Sequence, residues 1–422
     1  ERSIDVALDS LKCYCNDPVS DFTRCRKLPA RTLIECIMSF SNYSSIGELS
    51  HFFEGRGKMP SASALSQRRK LLDPDIFKRI NNLFVSAFDD HTTINGYHIL
   101  AQDGSDVNIP FMDDKTKTEK HDAKSFCQYH VNALYDCLNK VFYDWSIDAA
   151  SKKREVNALI SILKDRNYPH NSIFTADRGY ESYNLMAHFI ENDIKFVIRV
   201  KDIHTKVGLM TNVRTEEGAF DMRISRTLTS LQTKEIKADK EKYIFVPTTS
   251  NFDFLDETRV FYDLSFRAVR FKISEDVYET VVTNLSEEEF GTDNFKELYH
   301  YRWNEETAFN KLKYTIGLVY FHARKRKLIQ QEINAAFLMY NVSEVIIRNI
   351  DLKKDKKLKL EYDYKPNFSS AVTNIRLYLR KKINMKELIL RIKKFLVPQR
   401  PERSFERNIK GQACKPLNYR TS

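Results

Sequence analysis

Asp103, Asp177 and Glu306 are the acids in this 422-residue chain whose settings best suit hard-cation chemistry. Asp103 follows the apolar "HILA" in "QDGS", where a strand is expected to reach its polar end. Asp177 follows the apolar "SIFTA" and precedes Arg178-Gly179, again at the carboxyl end of an expected strand, the edge where open α/β sheets assemble their sites. Glu306 lies in "YHYRWNEETAFNKLK", an expected helix. Acids at strand ends with one more on a facing helix suit Mg²⁺, which takes hard oxygen ligands and keeps several waters. Two such ions, roughly 4 Å apart, can hold the attacking and leaving oxygens of a phosphodiester. Each aspartate alone also reads as a turn or capping residue. Asp106, Asp113 and Asp114 compete with Asp103, and Asp136, Asp144 and Asp148 are further acids in neighbouring strands.

Around Glu306 the spacing adds a second feature. At about 100° per residue Tyr299, Arg302, Glu306 and Lys313 fall at roughly 0°, −60°, −20° and −40°, one narrow stripe. An acid, two bases and a phenol in one row can hold a metal and follow a DNA backbone. Glu305, about 100° from Glu306, is expected to point elsewhere. The alternative is a solvated intrahelical charge network. The 10 His form no ligand pair at helical or finger spacing, so zinc chemistry is poorly supported.

The elements that position these residues follow from the apolar periodicity. Residues 1–92 read as helices broken by turn signals, and Arg68, Arg69 and Lys70 close one of them as a basic cluster suited to DNA contact. From 93 to 200 the order is strand, strand, strand, helix, strand, helix, strand, with a hairpin at Asn139. That is the order of a ribonuclease-H-like α/β core: a meander followed by right-handed crossovers. Residues 201–291 are strand-rich and interrupt the pattern as a β-rich insertion. The core is completed by two helices over 292–345, and 346–422 form a basic helical C-terminal region.

Composition agrees with a folded chain. With 42% apolar residues, 28 Phe and 21 Tyr, there is ample material for a core. No apolar run approaches the roughly 20 residues needed to cross a bilayer, so no membrane partner is expected. The seven scattered cysteines, with no zinc spacing at Cys13/Cys15, suit reduced thiols in a cytoplasmic protein. Residues 341–422 carry 21 Lys+Arg against 8 Asp+Glu, so the whole excess of the +11 net charge sits in this last fifth. Such a segment suits a phosphate-bearing partner.

The same residues carry a family resemblance. "YHYRWNEETAFNKLK" matches Tyr-x2-Arg-x3-Glu-x6-Lys, the signature of DDE transposases of the IS-four-type insertion sequences. "QDGS" and "TADRGYESY" resemble that family's two aspartate motifs in the right order, and "FHARKRKLIQQEINAAFLMYN" and "PERSFERNIKG" resemble its downstream segments. The resemblance implies metal-dependent cleavage of transposon ends and strand transfer, with Mg²⁺ (Mn²⁺ as a substitute) held by Asp103, Asp177 and Glu306. Tyr299, Arg302 and Lys313 map to positions that contact phosphates near the cleaved end. It further implies double-stranded DNA as partner, a homodimer on paired ends, and a nucleoid-associated protein. In some relatives an insertion aromatic holds a flipped base; Trp145 and Trp303 both lie outside the insertion. A nuclease on the same fold and a non-catalytic DNA-binding descendant are the alternatives.

Overall fold

A computed structural model describes residues 1–399 apart from Cys25, 89–90, Asp113, Lys115, 121–122, 151–154, His204, Lys206, Thr248, Asn251, Asp276, Asp351, and 353–361. Asp113, most of the Lys-rich connection and "PERSFERNIKG" therefore lie outside the described residues. The chain opens with helices α1 (Arg2–Asp9), α2 (Ala30–Met38), α3 (Ser45–Phe53), α4 (Ala62–Leu71) and α5 (Asp75–Val85). Strands β1 (His98–Ile109), β2 (Lys117–Lys120), β3 (Ala123–Asp136) and β4 (Val141–Ala149) follow, then α6 (Glu155–Asp165), β5 (Ser172–Ala176), α7 (Tyr183–Glu191) and β6 (Lys195–Val200). Next come β7 (Phe220–Thr229), α8 (Lys234–Ala238), β8 (Tyr243–Phe245), β9 (Phe261–Ser274) and β10 (Val277–Thr283). The last elements are α9 (Thr292–His300), α10 (Trp303–Asn310), α11 (Arg326–Arg348), β11 (Asp363–Pro366), α12 (Phe368–Leu379), α13 (Met385–Lys394) and β12 (Leu396–Gln399).

This is a mixed α/β protein built on one large sheet, in the order β2-β3-β1-β5-β6-β10-β9-β7-β8, with β4 paired to β3. β5 and β6 run parallel, as strands joined through α7 must when the connection crosses over a face, and β5 also runs parallel to β1. β3 and β4 form the hairpin expected at Asn139; the left-handed residue of its turn is Lys140, at φ 57°. The strands of 201–291 continue this sheet, because β10 pairs antiparallel with β6. Their residues join the same apolar clusters as the central strands: Val269 and Val281 pack on the α9–α11 face, Phe266 and Val282 on the α6–α7 face. β2 was not expected from the sequence; it pairs with β3 over a short register.

The N-terminal helices form a third cluster that closes on α11 through Ala335 and Leu338. At its edge lies a buried ionic network. Glu48 on α3 accepts from the Ser41 and Tyr43 amides (2.7 and 3.0 Å) and from the Arg380 guanidinium at 3.0 Å. Glu332 on α11 accepts from Arg69 at 2.7 Å, and His322 lies between the two acids, 3.1 Å from Glu332 and 3.6 Å from Glu48. Arg69 is thus committed to the interior, 2% exposed, also donating to the Leu328 carbonyl. Arg68 donates to the Leu28 carbonyl and lies over the Phe22 ring. Of the basic cluster expected to face DNA, Arg69 turns inward, because α4 packs it against α11, while Arg68 and Lys70 stay partly exposed. Among the described residues no helix is long and apolar enough to cross a membrane.

Candidate active site

β1 does not end at Asp103, contrary to expectation. It continues to Ile109, held by β3 along its whole length, while its pairing with β5 stops at Gln102↔Ala176. Beyond that point one edge of β1 is open. Asp103 lies in this notch, and Asp177, the first residue after β5, stands at its rim. Each aspartate is oriented by a neighbouring amide: Gly104 N–H donates to Asp103 Oδ1 at 2.8 Å, and Gly179 N–H donates to Asp177 Oδ1 at 2.7 Å.

The third acid comes from the opposite face. The single long helix expected over 294–316 is divided. α9 ends at His300, a turn tightened by Arg302 N–H to the Tyr299 carbonyl intervenes, and α10 begins at Trp303. Residues Lys311–Ile316 then widen into a π-helical turn, a frequent mark of functional segments. Arg302 is 4% exposed, with Nη2 3.5 Å from Glu306 Oε1 and Nη1 3.9 Å from Asp103 Oδ2. Its guanidinium also lies over the Tyr299 and Trp303 rings. Burial, opposed by Arg302 and reinforced by the charges of Asp177 and Glu306, pushes Asp103 up to about 6. The charges of Asp177 and Glu306 therefore both act on Asp103, each from a separate element. Among the described residues, no three His, Cys, Asp or Glu are gathered at metal-ligand spacing.

The stripe is altered by the helix break. Tyr299 is buried against the Arg302 guanidinium. Lys313 is half-buried on the π turn; burial lowers its pKa, while the charges of Asp106 and Asp103 oppose that shift. Glu305 does not point away. It is fully buried, and burial together with the Asp103 charge pushes it well above the usual carboxylate range. The competing acids have other commitments: Asp114 pairs with Arg326 at 2.7 Å, Asp136 with His98 at 2.8 Å, and Asp144 with Lys78 at 3.1 Å. Asp148 accepts from Ser146 at 3.2 Å.

A second group escaped the sequence reading. Asp106 Oδ1 is 2.7 Å from His130 Nδ1, and His130 Nε2 is 3.1 Å from Glu155 Oε1. The antiparallel register places Asp106 opposite His130, and nothing in the spacing of either motif announces that register. Gly104 leaves the room for this ring: a Cβ there would stand 2.3 Å from His130 Nε2. Gly104→Ala is expected to cost about 1–3 kcal/mol of stability, the usual penalty of overpacking, read as a lower urea midpoint. An unchanged midpoint would show that the ring moves aside freely.

The family model of the transposase DDE domain matches residues 94–342, more than half of the chain. The chain belongs to the transposase DDE-domain family. It is a DNA transposase, and the matched span runs from just before β1 into α11, enclosing the notch and all three acids. The IS-four-type assignment is consistent with this match. No curated protein matches the transposase significantly in sequence. Among solved structures it is similar to a piggyBac transposase in a synaptic complex with hairpin DNA, at 11% identity and a TM-score of 0.42, covering 89% of this chain and 76% of that one.

Proposed function

We propose that this transposase cuts the ends of its element and joins the freed 3′-hydroxyls to target DNA, using Asp103, Asp177 and Glu306 to hold divalent cations. The observation that carries the reading is the meeting of Asp103 and Glu306 about one buried arginine, with the charge of Asp177 acting on Asp103 from a third element. Their donors fit Mg²⁺ or Mn²⁺: all are hard oxygens, and Asp103 is lifted to about 6 by burial and its acidic neighbours. Bound there, two such ions would activate the attacking oxygen and offset charge on the leaving one.

The chain's own groups supply the rest. Gly104 and Gly179 amides aim the two aspartates. Arg302, fixed by Tyr299 and Trp303, sets a buried positive charge beside Asp103 and Glu306, and Lys313 adds a positive charge from the π turn. Tyr299, being buried, acts by holding Arg302 rather than by touching DNA. In this reading 93–200 and 292–345 form a ribonuclease-H-like core, 201–291 its insertion, and 1–92 with the basic 346–422 flank it as DNA-contacting regions. Two copies would bind paired ends in a nucleoid-associated complex.

The test is incubation of linear DNA carrying the sequences that flank the coding region with the protein and Mg²⁺, followed by pre-cut ends with target DNA. Cleavage and joining are expected. Cleavage without joining would make it a nuclease, and binding without metal-dependent cleavage would make it a non-catalytic DNA-binding protein.

A further inference from the structure

Past Gln102, β1 leaves β5 behind, and from Gly104 to Ile109 only β3 pairs with it among the described strands. This one-sided stretch adjoins Asp103. A carboxylate that holds a cation needs its backbone fixed to within about 0.5 Å, and a strand paired on one edge gives way more readily than one paired on both.

The stretch is braced from the face of the sheet opposite Asp103. Side chains alternate along a strand, so Asp103 points with Ala101 and Val107 toward α9–α11, and Asp106 points with Leu100 toward α6 and α7. There Asp106 Oδ1 lies 2.7 Å from His130 Nδ1, and His130 Nε2 lies 3.1 Å from Oε1 of Glu155, the first residue of α6. The imidazole, with 2% of its side chain exposed, thus joins β1, β3 and α6.

Two glycines let this bridge close up beneath the notch. A Cβ on Gly104 would stand 2.3 Å from His130 Nε2 and 3.1 Å from Glu155 Oε1, and a Cβ on Gly179 would stand 3.7 Å from Glu155 Oε2. Neither glycine has a positive φ, so what each supplies is room for close approach. They are also the residues whose amides orient Asp103 and Asp177. The bridge therefore lies against both backbone segments that aim the aspartates. Filling this space alone does not call for an imidazole between two acids, because an apolar ring of similar size avoids the cost of burying polar groups.

We infer that His130 is a positioning residue of the active site, tying the segments that carry Asp103 and Asp177 to each other through Asp106 and Glu155. This role presupposes the divalent-cation site proposed for Asp103, Asp177 and Glu306. It asks of Asp106 and Glu155 only that they hold the ring.

The experiment is Mn²⁺ titration of the full chain, followed by the paramagnetic resonance of free Mn²⁺, with urea midpoints measured alongside. His130→Phe fills the space but holds neither acid. It is expected to weaken Mn²⁺ binding by about 10–100-fold, the usual effect of losing a group that orients metal ligands. His130→Gln, whose amide can still donate to both acids, is expected to restore most of the affinity. Recovery with Gln and not with Phe marks a held position rather than a filled space. A folded Phe variant that binds Mn²⁺ like the unsubstituted chain overturns the inference, whatever its urea midpoint. If the Phe variant does not fold, Asp106→Ala cuts the same bridge from β1, and unchanged Mn²⁺ binding there overturns it equally. Asp103→Asn separates the two readings: if it abolishes Mn²⁺ binding while His130→Phe leaves it intact, only the role of His130 fails. If Asp103→Asn has no effect either, the three-acid reading fails with it.

Discussion

Glu306→Gln is expected to lower metal-dependent cleavage of end-bearing DNA on the order of 10³-fold, with DNA binding and the urea midpoint unchanged. The substitution preserves shape and removes one charge. Glu306 is half-buried and its contact with Arg302 is long, at 3.5 Å, so little stability rests on it. What it loses is the hard, charged oxygen that a divalent cation requires. Glu305 cannot replace it. Although adjacent, its carboxylate is fully buried on the Asp103 side, one helical step away. Cleavage at the rate of the unsubstituted chain would remove Glu306 from the site. Loss of DNA binding together with cleavage would instead assign it to substrate docking.

The second large effect concerns stability and lies outside the notch. His322 has a buried side chain between Glu48 and Glu332; burial alone would lower its pKa, but the two carboxylates raise it from 6.5 to about 9. A raised folded-state value means that the imidazolium stabilises the fold fully below about pH 6.5, and that this contribution is lost as pH rises through about 9. Glu332 is held below its ordinary 4.5 despite burial, chiefly by Arg69 and His322, so its contribution is present above that value and fades in acid. His322→Gln, which cannot be charged, is therefore expected to cost about 3 kcal/mol at pH 6 and far less near pH 10. Urea unfolding at the two pH values measures it, and an equal loss at both would refute the ionic account. Glu332→Ala should cost about 3–5 kcal/mol near neutrality, because it strands Arg69 and His322 in the interior. Since Glu48, Arg69, Glu332 and Arg380 belong to α3, α4, α11 and the end of α12, the network joins the N-terminal helices to the last ones. The loss should accordingly be cooperative.

Much of the architecture was legible because it is written in local periodicity. The apolar runs that became β1, β3, β4, β5 and β6, the hairpin between β3 and β4, and the helices between strands all show their repeat within a few residues. The acid motifs were legible for the same reason: each is a short string next to one element, and their order along the chain survives folding. What could not be read depends on which distant residues meet. "QDGS" looks like a strand end because Gly and Ser are weak strand formers, but β3 supplies ladder partners that carry β1 on to Ile109. A uniform turn of 100° made one stripe of residues 299–313, whereas packing against the sheet broke the helix before Arg302 and widened it after Asn310. Arg69 reads as a surface base, yet Glu332, more than 260 residues away, draws it inside. The sequence alone determined which three acids to consider and the order of the elements bearing them. Only the tertiary structure decided that β5 stops short to open a notch beside Asp103, that Glu305 joins it, and that register and two missing side chains bring Glu155 there, because those contacts span the sheet and no local pattern encodes them.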